Sequence, residues 1–457
     1  SGGPSSTREE NAPDVDFERL QEYGVPVLGI CYGMQLLNIK FGGQVEASDR
    51  REYGPADLIP EENGGLFKDL SERSQVWMSH SDTVSDLVEN CRVIARNEHG
   101  TPVALQWGSN CFGIQFHPEV THSHEGLKVL QNFLEMAQDL QEFRIEDFKK
   151  TLLEEIKARV GDKQVVCGVS GGVDSTVLAV LLKEAGIHMR AIFVDHGLLR
   201  KDEGDEVRKN FQRMGVDIET VEASETFLSE LAGVSDPEKK REIIGNLFIK
   251  VFWDSVGDAD MLAQGTLYPD VIESASNAKT KASKIKTHHN RVEKILELQK
   301  QGKVLEPLAE LFKDEVRELG LSLGIQPDIV HRHPFPGPGL AVRCPGEVTP
   351  DRLRIIQECD SIFISLLRQH DWYDKVWQAY AALVPVKTVG VKGDERSYEF
   401  AVSLRAVVGE DAMTADWVEL PYQILRDSSN QILNSVPGVN RVLYDVSTKP
   451  PASIEWE

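Results

Sequence analysis

The chain's 457 residues, 41% hydrophobic and 27% charged, exceed what one ordinary core organises, so two or three globular domains are expected. Its 50 basic and 73 acidic residues leave a net charge of −23, the wrong sign for extended contact with nucleic acid, and no apolar run approaches the ~20 residues that span a bilayer. Neither nucleic acid nor membrane is therefore an expected partner, and six dispersed cysteines without a C-x-x-C pair argue against a disulfide scaffold or zinc site and suit a cytoplasmic protein.

Residues 1–136 read as short apolar strands alternating with helices: a strand at 25–30, a helix at 34–39, a strand at 112–116, and a helix at 124–137 with Leu127, Leu130, Phe133 and Leu134 at helical spacing. A polar bridge at 138–142 marks a first boundary, followed by an amphipathic helix carrying Ile145, Phe148, Leu152 and Ile156 and closed by Gly161. Within the first segment, Gly29-Ile30-Cys31-Tyr32-Gly33 sets a cysteine between glycines where a strand turns into a helix. Flanking glycines relieve crowding at such an elbow, and the helix N-terminus favours a thiolate. Taken alone, a cysteine here is as often a small core residue. Gly113-Ile114-Gln115-Phe116-His117-Pro118-Glu119 changes that reading, because a histidine leaves a strand end with a carboxylate two positions on, able to orient the imidazole. Cys31, His117 and Glu119 in this order resemble the triad of class I glutamine amidotransferases, which release ammonia from glutamine through a glutamyl thioester. The resemblance implies that Gly2 and Gly3, in Ser1-Gly2-Gly3-Pro4, belong to the loop beside the oxyanion hole. It also implies further strands ahead of that loop, which this sequence lacks, so a truncated domain is expected. His122 and His124 lie near His117 without companion ligands and are read as loop histidines.

From residue 165 the alternation resumes, with strands at 165–169, 189–195 and 261–265 and a helix at 207–214. Leu308, Leu311, Phe312, Val316 and Leu319 then fall on one side of a further helix. This predicts a parallel sheet with helices on both faces. At its first strand-to-helix turn stands Ser170-Gly171-Gly172-Val173-Asp174-Ser175-Thr176. Two glycines let N–H groups approach an anion, the helix N-terminus adds partial positive charge, the hydroxyls can donate to phosphate oxygens, and Asp174 can hold Mg²⁺ against them. No G-x-x-x-x-G-K-S/T is present, so no lysine of that motif clamps a γ-phosphate. A plain Gly-Gly turn is the alternative. The stretch resembles the pyrophosphate loop of ATP pyrophosphatases, which split ATP into AMP and pyrophosphate to activate a carbonyl oxygen. The run His333-Pro334-Phe335-Pro336-Gly337-Pro338-Gly339, whose three prolines exclude helix and central strand, marks a second boundary. Helices at 351–370 and 421–435 with strands at 386–391, 398–407 and 441–446 then predict a small α+β unit.

Longer stretches narrow the resemblance. Residues 263–274, 285–290, 332–340 and 449–457 resemble, in order, the glutamine-hydrolysing GMP synthetase family. The fold this implies is α/β: two domains with mainly parallel sheets flanked by helices, glutamine amidotransferase-like over 1–137 and adenine-nucleotide α-hydrolase-like (an ATP pyrophosphatase) over 138–333. A small α+β dimerisation domain over 334–457 completes it. The implied activity is ATP-dependent amination of xanthosine 5′-monophosphate (XMP) to GMP with glutamine-derived ammonia, through adenylated XMP, in a cytoplasmic homodimer with Mg²⁺ accompanying ATP. By the same resemblance, Ser170 through Thr176 cradle pyrophosphate, Asp174 holds the metal, Val194 and Gly265 border adenine, and Lys286 lies in a lid. Arg241, Gln378, Asp394, Lys449 and Glu455 match positions that contact XMP. The alternatives are an ammonia-only synthetase with an inactive truncated half, and a nucleotide-binding homologue without turnover.

Overall fold

The computed structural model describes residues 6–9, 12–120, 122–137, 144–271, 298–409 and 414–457, in two compact units, Ser1–Glu142 and Phe143–Glu457. Gly2, Gly3, Lys286 and the bridge at 138–142 lie outside the described residues.

In the first unit α1 (Phe17–Glu22) is followed by β1 (Val27–Ile30), α2 (Tyr32–Lys40), β2 (Gln44–Pro60), β3 (Ser74–Asp86), β4 (Cys91–Arg96), β5 (Pro102–Trp107), β6 (Cys111–Ile114) and α3 (Gly126–Glu135). The strand order is β1-β6-β5-β4-β2-β3. β1 and β6 pair in parallel, Ile30 opposite Ile114, so the chain leaves both strands at the same edge of the sheet. Between 44 and 107 the expected alternation with helices is absent, and the chain pairs antiparallel instead, β2 with β3, β2 with β4 and β4 with β5. β3 shows why this was hidden. Its buried positions alternate as Ser74, Val76, Met78, His80 and Asp82, a period of two in which three inward residues are polar. Leu58, Phe67, Val76 and Phe116 pack on one side of the sheet, and Met34, Leu37, Leu105 and Trp107 form a separate cluster.

The second unit begins with α4 (Ile145–Val160), ended by Gly161 at φ 58°, as its spacing predicts. There follow β7 (Val165–Val169), α5 (Val173–Glu184), β8 (Met189–Asp195), α6 (Glu203–Arg213), β9 (Ile218–Glu222), α7 (Ser224–Glu230), α8 (Pro237–Val256), β10 (Met261–Ala263) and β11 (Val304–Leu305). The five strands are parallel, in the order β11-β10-β7-β8-β9. Connections run outward in both directions from β7, so the turn after β7 occupies the switch point where doubly wound sheets bind ligands. The helix expected to include Leu308 starts later, as α9 (Lys313–Ser322). The Phe312 N–H donates to Glu315 Oε2 at 2.8 Å, which sets the start there, and leaves Phe312 51% exposed instead of on the buried face.

Beyond α10 (Pro327–Val330) and α11 (Pro350–Gln369), β12 (Gln378–Lys392) and β13 (Glu395–Val408) form a long antiparallel hairpin. β14 (Asp416–Trp417) extends it antiparallel, while β15 (Val439–Tyr444), after α12 (Tyr422–Ser435), joins β13 in parallel. One apolar cluster runs from Val166 and Ile192 of the parallel sheet through Leu340 and Phe363 to Leu404 of the hairpin. A second cluster, with Val177, Leu181, Phe211 and Leu319, includes residues of α5, α6 and α9.

Candidate active sites

Cys31 follows β1 directly and begins α2 at φ 52°, ψ −104°, a conformation costly for a residue with a Cβ. A Cβ on Gly29 would stand 2.5 Å from the Gly33 carbonyl oxygen, so only glycine lets strand and helix approach this closely. The Cys31 N–H donates to the Ile114 carbonyl at 2.7 Å, tying the elbow to the end of β6. The chain leaving β6 then delivers His117, whose own N–H donates to the Trp77 carbonyl of β3 at 3.0 Å.

His117 Nδ1 meets Glu119 Oε1 at 2.7 Å, leaving Nε2 for the Cys31 sulfur. The hydrogen bond with Cys31, then that with Glu119, raises His117 to about 10 despite burial. Burial acts to raise the Glu119 carboxyl, yet its hydrogen bonds, led by the one from His117, hold it below the usual carboxylate range. Cys31 is buried, its sulfur with Ser79 O at 3.7 Å and Gln115 Nε2 at 3.6 Å. Burial pushes the other five thiols up: Cys91 and Cys344 to about 11, Cys167 and Cys359 to about 12, and Cys111 above its ordinary value. Among the described residues, Cys31 is the thiol with an imidazole hydrogen-bonded to it. A thiolate–imidazolium pair oriented by a carboxylate can attack an acyl carbon and protonate the nitrogen that leaves.

In the second unit Ser170, Gly172, Asp174, Arg241, Lys313 and Arg332 are among the residues around a cavity of about 500 Å³. The loop holds itself together. Ser175 Oγ accepts from the Ser170 N–H at 3.1 Å, and Thr176 Oγ1 donates to the Gly172 carbonyl at 2.8 Å, so Thr176 closes the turn from within. Gly171 has φ 76°, and a Cβ there would lie 2.3 Å from Val207 Cγ2. Arg332 supports the loop from outside, Nη1 donating to the Gly171 carbonyl at 3.2 Å while Nη2 pairs with Glu203.

Asp174, in the first turn of α5, places Oδ2 3.3 Å from Lys313 Nζ, and its buried Oδ1 has no hydrogen-bond partner. An unsatisfied buried carboxylate oxygen beside an anion-binding loop fits a hard divalent cation. Among the described residues no group of three His, Cys, Asp or Glu could hold a metal. Gly265 packs on this helix start, its missing Cβ 3.4 Å from the Asp174 carbonyl carbon. The Val194 side chain lies in the core, 3% exposed.

The remaining expected nucleotide contacts divide. Arg241 lines the cavity and pairs with Glu238 at 2.6 Å. Gln378 Nε2 donates to the carbonyl of Pro334, a lining residue, and to Glu455 Oε1 at 2.8 Å, bringing Gln378 and Glu455 together. Both Glu455 oxygens also accept from the fully buried Arg343, each at 2.9 Å. Lys449 exchanges main-chain hydrogen bonds with Ala415. Asp394 sits exposed at the hairpin tip after β12, whereas Gln378 begins that strand. The length of β12 places the two at opposite ends of the strand. Lys313, Arg332, Glu203 and His196 line the cavity without having been anticipated.

The family descriptions that match are Glutamine amidotransferase class-I over residues 1–137, PP-loop domain over 144–236 and GMP synthase C terminal domain over 365–456. Proteins named GMP synthase (glutamine-hydrolyzing) are similar along the whole chain. That of Thermosipho melanesiensis is 49% identical over 470 residues, and those of Cytophaga hutchinsonii and Carboxydothermus hydrogenoformans are 50% identical over 464 and 465. Each alignment spans 100% of this chain and 90% of the relative.

Proposed function

The chain belongs to the glutamine-hydrolysing GMP synthase family, and from that premise we propose that it aminates XMP to GMP with glutamine, through an adenylated XMP. The observation that carries this is the presence of two chemically distinct centres, an acyl-transfer triad in one unit and an anion loop with an unsatisfied carboxylate oxygen in the other.

Cys31 sulfur attacks the glutamine amide carbon, and His117 gives its proton to the departing nitrogen, releasing ammonia. Water then hydrolyses the thioester to glutamate. At the second centre the XMP C2 oxygen attacks the α-phosphorus of ATP and pyrophosphate leaves into the loop N–H groups. Ammonia adds at C2 and AMP departs, giving GMP. Asp174 would hold Mg²⁺, which supplies neutralisation of phosphate charge when bound. Ser170 and Gly172 shape the phosphate cradle, with Ser175 Oγ holding the Ser170 N–H, and Lys313 and Arg241 line the same space.

A homodimer through the carboxy-terminal region fits the hairpin, whose Val389, Val391 and Tyr398 are exposed on one face, Val389 directly opposite Tyr398. Pairing of two hairpins also offers Asp394 a route to a nucleotide, since its own chain holds it far from Gln378. Nucleotide and glutamine substrates support a cytoplasmic setting. Cys31→Ala should abolish glutamine-driven GMP formation and retain synthesis from ammonium salts. Simultaneous loss of both in folded protein overturns the two-centre reading.

A further inference from the structure

We propose that Gln115 is a positioning residue for the Cys31 nucleophile, its side-chain amide donating to the sulfur and stabilising the thiolate. The proposal rests on the triad reading of Cys31 and His117. Gln115 follows β6 on the segment that carries His117, and it is buried, 3% exposed. Its Nε2 stands 3.6 Å from Cys31 Sγ. The amide is not free to turn, because Gln115 Oε1 accepts from Gln35 Nε2 at 3.3 Å. Gln35, one turn into α2 and equally buried, is fixed in turn by donating to the Asp82 carbonyl at 3.0 Å. Two amides in series therefore aim an N–H at the nucleophile.

The sulfur needs such a donor. Ser79 O, 3.7 Å away, accepts from a thiol but repels a thiolate. The charged groups around the elbow are mostly matched among themselves: His80 with Glu52, Asp82 with Arg8, and His117 with Glu119. Tyr32, on α2, donates to the Pro13 carbonyl. Among the described residues His117 is the cation hydrogen-bonded to the sulfur, and its proton departs with the leaving nitrogen. At thioester hydrolysis water attacks the acyl carbon, its proton passes to His117, the C–S bond breaks and sulfur takes the electron pair. The Gln115 dipole neither titrates nor moves, so it is in place when that thiolate forms.

The test is the pH dependence of iodoacetamide alkylation in the full chain, with Cys31→Ala as the blank for other thiols, and thermal unfolding to verify the fold. Losing a charge-assisted hydrogen bond in Gln115→Leu should raise the pH of half-maximal alkylation by about one unit. Glutaminase kcat should fall roughly tenfold at pH 7.5, with KM for glutamine within about twofold. Gln115→Glu, similar in size but carrying negative charge, should shift the profile further. Gln35→Leu, which releases the amide, should give a smaller shift in the same direction and serves if Gln115→Leu does not fold. A folded Gln115→Leu, or in its place Gln35→Leu, with the wild-type alkylation profile overturns the proposal. A wild-type Cys31 that alkylates no faster than the blank overturns the triad reading, and the proposal with it.

Discussion

Replacing Glu119 by Gln asks whether the His117 imidazolium is held by charge or by shape. His117 is raised from 6.5 to about 10, first by its hydrogen bond with Cys31 and then by that with Glu119. Glu119 supplies the smaller part. Its carboxylate is 48% exposed, so solvent screens the pair and leaves ~1–2 kcal/mol for a charge-assisted bond of 2.7 Å. Because the folded value lies above the unfolded one, the stabilisation is complete below pH 6.5 and disappears as pH rises through 10. Its acid limit comes from Glu119, whose lowered carboxyl makes the contribution vanish as pH falls below the usual 4.5. Glu119→Gln should therefore lose ~1–2 kcal/mol near pH 6.5 and almost nothing at pH 10.5, with the His117 ring protons titrating about one unit lower. Denaturant unfolding at both pH values and proton NMR of the ring measure this. A deficit equal at pH 6.5 and 10.5 would refute the reasoning, since packing alone does not titrate.

Cys31→Gly should stop glutamine hydrolysis yet raise stability by ~1 kcal/mol, because φ 52° is disfavoured only for residues with a Cβ; thermal unfolding reads the sign. Gly171→Ala should weaken ATP binding at least tenfold, since its Cβ would meet Val207 Cγ2 at 2.3 Å, and adding Val207→Ala should recover part of that loss in a calorimetric titration. Lys240→Met should cost ~3 kcal/mol in denaturant unfolding, because the fully buried ammonium bonds Glu457 Oε2 at 2.5 Å and Cys344 O at 2.7 Å, and its removal strands a carboxylate.

What could be read from the sequence follows how each element hides its apolar surface. β7 and β8 are covered on both faces and appear as continuous runs, so 165–169 and 189–195 were read to the residue. β3 buries Ser74, His80 and Asp82 among its inward positions, and no hydropathy search marks those as core. The hairpin was found only from 386 onward. Its first half contains Ala379, Ala381 and Ala382, all fully buried, and alanine carries no strand preference. α8 was missed although Asp236 caps it, accepting the Lys239 N–H at 2.9 Å ahead of Pro237.

The sites divide along a similar line. Cys31, His117 and residues 170–176 stand at strand ends inside short motifs, where spacing alone carries the chemistry. Lys313 reaches Asp174 from 139 positions away, and no spacing rule joins them. One local sign existed: Lys313 begins α9, where the helix dipole disfavours a cation, so a nearby anion is needed to offset it. Glu455 likewise meets partners far away in the chain. Both of its oxygens are engaged by Arg343, and Oε1 also takes Gln378. Arg343 lies against the rings of Phe335 and Tyr380, 5.2 and 4.1 Å from their centroids, and Phe335 lines the cavity. Glu455 thus anchors Arg343 and Gln378, which touch Phe335 and Pro334 of the cavity wall.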